Sequence, residues 1–177
     1  MADSKLVWTS DPEAAKRLRD EGRLDVAKDV VGADALRLWY LLSLRANDRS
    51  AVVLTEARAR ESRHAIARLN ASLSSLSPLE ATTESGPVDE ELVTAIQQFA
   101  DEAHAAYARR RFDIAANRFI DAVNAVGDYS RAVEKEPRAG SRETAAEIVR
   151  ILHDAFWPLC PFILQRFAEH TQQKRES

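Results

Sequence analysis

A single cysteine, Cys160, excludes an intramolecular disulfide, and its apolar setting in Trp157-Pro158-Leu159-Cys160-Pro161-Phe162 marks it as a buried structural thiol of a reducing compartment. Glycine is almost as scarce. Gly22, Gly32, Gly86, Gly127 and Gly140 stand too far apart to make a nucleophile elbow, a Walker loop or a dinucleotide fingerprint, so no phosphate-cradling loop is expected. His64, His104, His153 and His170 are scattered, which leaves no cluster with metal-ligand spacing; no metal and no other cofactor is expected. No stretch approaches the roughly 18 uninterrupted apolar residues of a membrane span. Met1 to Ser10 lacks the basic start, apolar run and cleavage site of an export signal. These absences predict a cytoplasmic protein without membrane contact. Carboxylates are plentiful, but most lie in charged runs or first helical turns, where solvation or the helix dipole accounts for them. Nothing marks an acid–base pair, and the chain is not expected to be an enzyme.

What is present is helical period. The 177 residues are enough for one domain burying roughly 70% of its unfolded surface. A short helix is predicted within Leu6 to Gly22, with Pro12 at its first turn. Gly32 to Leu44 is apolar on most sides and suits a helix buried between neighbours. Thr55 can cap a third helix continuing past Leu73, in which Ile66, Leu69, Leu73 and Leu76 form one stripe with the arginines largely off it. Ser74 to Pro87 reads as a loop, its start alternatively the frayed end of the preceding helix. From Val88 a helix packs through Leu92, Ile96, Phe99, Ala103 and Ala106, with Asp89-Glu90-Glu91 at the positive end of its dipole. After a basic turn, Arg109-Arg110-Arg111, the clearest period of the chain runs through Phe112, Ala115, Ala116, Phe119, Ile120, Val123 and Val126 and can pass Gly127 as far as Val133. Ser141 opens the last element, whose apolar face is Ile148, Leu152, Ala155, Phe156, Leu159 and Phe162, bent or interrupted by Pro158 and Pro161. With no alternating strand pattern and no fixed repeat, the expected fold is all-α, an antiparallel helix bundle with short turns.

Charge is uneven. The net value of −3 does not suggest a nucleic-acid binder, yet no Lys or Arg occurs between Arg68 and Arg109, so positive charge gathers at Arg58, Arg60, Arg63 and Arg68 and at the Arg109 to Arg111 turn.

Four blocks carry a resemblance. They are Gly32-Ala-Asp-Ala-Leu-Arg-Leu-Trp39; Leu54-Thr-Glu-Ala-Arg-Ala-Arg-Glu-Ser-Arg-His-Ala-Ile-Ala-Arg-Leu-Asn70; Tyr107-Ala-Arg-Arg-Arg-Phe-Asp-Ile-Ala-Ala-Asn-Arg-Phe-Ile-Asp-Ala-Val-Asn124; and Ile148 to Phe167, with Leu159-Cys-Pro-Phe-Ile-Leu164. In this order they resemble the anticodon-binding helical domain of class I aminoacyl-tRNA synthetases of the valine, isoleucine, leucine and methionine group. The departures are specific. No His-Ile-Gly-His-like run and no lysine-serine loop is present, so the resemblance covers the binding domain without the catalytic one. Where the family helix carries asparagine, lysine, leucine and tryptophan, this chain has Ala67, Arg68, Leu69 and Asn70.

The resemblance implies a non-catalytic tRNA-binding module that holds the anticodon stem and loop. Arg58, Arg63, Arg68 and Arg110 are expected on phosphates, and Asn70 or Tyr107 on an unpaired base. Residues 1–31 would form a helical extension, 32–171 the anticodon-binding-like bundle and 172–177 a polar tail. The alternative is a synthetase-derived protein-interaction module that no longer reads RNA, docking on an aminoacyl-tRNA synthetase or another protein; the gap in positive charge favours it. An enzyme with a new site between helices is the third reading, and no titratable cluster marks its pocket.

Overall fold

A computed structural model describes residues 32–44, 56–76, 86–136 and 138–173, and these hold six helices and no strand: α1 (Ala33–Ser43), α2 (Glu56–Leu76), α3 (Glu90–Ala108), α4 (Phe112–Lys135), α5 (Ser141–Phe156) and α6 (Pro161–Gln173). The expected helix within Leu6 to Gly22, the Thr55 cap and most of the Ser74 to Pro87 loop lie outside the described residues. Among the described residues no helix is long and apolar enough to cross a membrane.

Three of the helix starts have a local reason. Gly32 takes φ 88°, a left-handed value that favours glycine, and its carbonyl accepts the Leu36 N–H at 2.9 Å. The α1 that follows buries Asp34, Ala35, Leu36, Leu38, Trp39 and Leu42, as its apolar sequence predicts. Asp89 caps α3 by accepting the Leu92 N–H at 3.1 Å, with Glu90 and Glu91 in the first turn. At Pro161 the chain opens α6 where a missing N–H costs nothing.

Two expectations are refined. Ser74 and Ser75, read as the start of a loop or the end of the preceding helix, belong to α2 together with Leu76 of its apolar stripe: Leu76 is buried and the Ser75 hydroxyl joins the Ser72 carbonyl and the Ser130 hydroxyl of α4. Of the bend or interruption expected at Pro158 and Pro161 the structure has the interruption, which makes two helices, and Phe162 is not on the shared apolar face; it is 67% exposed. The break at residues 157–160 resets the helical period, so a spacing counted straight through Pro158 and Pro161 puts Phe162 on the wrong side.

The centre of the molecule is α4, which packs against α1, α2, α3 and α5. Phe119 meets Phe156 of α5 at 5.5 Å between ring centroids, tilted by 57°, a favourable aromatic arrangement. Against α3 the seam is small: Ala100, Ala103 and Ala106 face a helix whose buried set includes Ala115, Ala116 and Ala122. The two run antiparallel, with the Arg118–Glu102 ion pair across them at 2.8 Å. On the other side α2 offers Ala59, Ser62 and Ala65 before its leucines, and Ser62 satisfies its hydroxyl on the Arg58 carbonyl at 2.7 Å.

Gly127 does not interrupt α4. The Arg68 guanidinium lies directly over it, and a β-carbon there would fall 2.3 Å from Arg68 Nε. At the far end, the starts of α3 and α5 are joined: the Thr144 hydroxyl accepts the Asp89 N–H at 2.9 Å and donates to the Gly140 carbonyl at 2.8 Å.

Candidate functional site

On α2, Arg63, Ile66, Ala67 and Asn70 follow steps of three and four and so share one face. That face meets Ala35 of α1 and Phe162, Ile163 and Arg166 of α6 to enclose an open groove of about 560 Å³, within the ~300–1,000 Å³ usual for small-ligand sites. Its floor is apolar and its rim carries two guanidinium groups, a carboxamide and an exposed phenyl ring. Arg166 donates to Asn70 Oδ1 and stands 4.8 Å from the Phe167 ring centroid. The Asn70 oxygen is thereby engaged, and its amide nitrogen remains a donor.

The α6 wall is set by a contact across the chain. Asp34, buried in α1, accepts the N–H of Ile163 at 2.8 Å and of Phe162 at 3.3 Å, capping α6 from another helix. Arg37, one turn later, donates to the Pro158 carbonyl. Burial pushes the Asp34 carboxyl above its ordinary value, against the two N–H groups and the Arg37 guanidinium, which pull it down.

The six residues expected to contact RNA do not gather in one place. Arg63 and Asn70 line the groove. Arg58 pairs with Glu61 at 2.7 Å on the same helix. Arg68 points the other way and ties α2 to α4, donating to Asn124 Oδ1 at 2.8 Å, to the Asn124 carbonyl at 3.3 Å and to Asp128 at 2.7 Å. Tyr107 is half-buried, its ring tilted against His104 and Phe112, and its hydroxyl is enclosed without a protein partner among the described residues. Burial raises the Tyr107 phenol further above its already basic range. Arg110 is exposed in the α3–α4 turn.

Sequence reasoning missed Arg166, Phe162 and Asp34. A signal existed for the first two: with Pro161 taken as the first residue of a helix, Phe162 and Arg166 fall four apart on one face.

Two carboxyls carry opposite signs. Arg111 bonds Asp113 through Nε at 2.9 Å and through Nη2 at 2.8 Å, holding that carboxyl below the usual value of 3.8. A lowered folded-state value means that the Asp113 contribution to stability is present above pH 3.8 and lost as pH falls. Asp34 is raised, so its contribution is fully present below pH 3.8 and declines as pH rises through the folded value. A carbon-detected NMR titration is expected to place the Asp113 midpoint below 3.8 and the Asp34 midpoint above it. Arg111→Gln should return Asp113 to its ordinary value and leave Asp34 unmoved.

No protein family, no curated protein and no solved structure matches the chain.

Proposed function

We propose that the chain is a non-catalytic tRNA-binding module of the synthetase anticodon-binding kind, and that the groove between α1, α2 and α6 receives an unpaired nucleotide of the RNA. The observation that carries this reading is the convergence of Arg63 and Asn70 with Arg166 and Phe162. Guanidinium groups hold phosphates, an exposed ring stacks on a base and a carboxamide donates to a base edge, which are the means by which single-stranded RNA is recognised.

Binding of total tRNA at two salt concentrations tests the groove. Arg63→Ala/Arg166→Ala is expected to weaken binding and flatten the dependence of log affinity on log salt by about 1.4, at roughly 0.7 per single-strand phosphate contact. Arg68→Ala serves as the comparison. It removes the α2–α4 tie, so it is expected to lower the melting temperature and leave the salt slope unchanged. Wild-type protein that binds no tRNA at low salt sinks the reading.

A second reading, docking on a synthetase or another protein, is favoured by the pairing of Arg58, Arg68, Arg118 and Arg150 with carboxylates. It predicts no tRNA binding by the wild type and a partner contact that survives Arg63→Ala/Arg166→Ala.

A further inference from the structure

The turn between α3 and α4 is built in an unfavourable way. The Arg111 N–H reaches the Ala106 carbonyl at 2.9 Å and the Arg110 N–H reaches the Tyr107 carbonyl at 2.9 Å. That pair of bonds is a helix-ending pattern whose left-handed residue is usually glycine. Here the residue is Arg110, at φ 57°, the one non-glycine positive φ among the described residues. A side chain in that conformation is less stable than none.

Nothing among the described residues repays the arginine. Arg111 is engaged by Asp113, but Arg109 and Arg110 are exposed, and neither side chain makes a hydrogen bond or ion pair among the described residues. Helix dipoles give no net reason for the charge: the turn joins the α3 C-terminus, which attracts cations, to the α4 N-terminus, which repels them. The nearest acids of α3 are occupied elsewhere, Asp101 by Gln97 and Glu102 by Arg118. α3 and α5 are joined at their starts and pack against each other, which puts the turn at the end of the bundle where α5 gives way to α6.

We infer that Arg109 and Arg110 form a second phosphate contact, distinct from the groove, by which the same RNA backbone is held at the end of the bundle. This rests on the RNA reading of the groove. The left-handed turn carries two adjacent exposed arginines, a pairing that suits two phosphates of one strand and that a glycine turn would not provide.

Arg110→Gly separates fold from function, because it is expected to raise the melting temperature by about 2–4 °C while weakening tRNA binding. Arg109→Ala/Arg110→Gly should flatten the salt slope by about 1.4, and Arg110→Lys, which keeps the cation, should retain the wild-type slope. A double variant with unchanged affinity and slope, in a protein whose binding still depends on Arg63 and Arg166, overturns the turn contact and leaves the groove standing. Wild-type protein that binds no tRNA overturns both.

Discussion

Gly140→Ala is expected to lower the melting temperature by about 8–16 °C. Gly140 has φ 79°, where an L side chain costs about 1–2 kcal/mol. The added carbon would also fall 2.0 Å from the Pro87 carbonyl oxygen and 2.9 Å from the Gly86 carbonyl carbon. These are backbone atoms, so no rotamer change relieves the overlap. The start of α3 must move away from the start of α5, breaking the Asp89–Thr144 bond that joins them. A total of about 4 kcal/mol is reasonable for strain plus lost packing, and a domain of this size loses about 2–4 °C per kcal/mol. Thermal unfolding followed by circular dichroism measures it; a shift under ~3 °C would show that the two helix starts can separate without cost.

Asp34→Ala is expected to destabilise the protein by about 3 kcal/mol and to weaken tRNA binding as well. Its carboxyl oxygens satisfy two backbone N–H groups at the start of α6, and hydrogen bonds involving charged groups are worth ~1.5–3 kcal/mol each, part of which is recovered when the end of the helix relaxes toward water. Asp34→Asn retains one side-chain acceptor and should cost about half as much. The link to binding follows from position, since Phe162 is both a bonded residue and a wall of the groove. Denaturant unfolding gives the stability change. If Asp34→Ala were to bind tRNA like the wild type, the groove would not depend on where α6 begins.

Much of the fold was legible because local chemistry and period agree. Asp89 before an acidic turn gives a helix start that the structure reproduces, and the alternation of Phe119, Val123 and Val126 with polar residues gives the buried side of α4. Legibility ended where a residue's role depends on something distant in the chain. Arg68 reads as a cation on an exposed helix face; its partners Asn124 and Asp128 are 56 and 60 residues away, and the reason Gly127 leaves room for it is invisible without them. The groove was half legible for a similar reason. Arg63 and Asn70 could be singled out on one helix, but the opposite wall required knowing that two prolines restart the chain as a separate helix. Ala67, a short side chain between Arg63 and Asn70, sits on the wall of the groove beside them.

The alanine seam between α3 and α4 changes how this molecule would answer a mutational survey. Truncation to alanine is the usual probe of which positions matter, and it is silent wherever evolution has already supplied alanine. Ala100, Ala103 and Ala106 of α3 and Ala115, Ala116 and Ala122 of α4 are all buried, so six core positions would score as blank in such a scan. Enlargement is the informative perturbation there: one added methylene has no cavity to enter in a closely packed interior and must push two helices apart along their length.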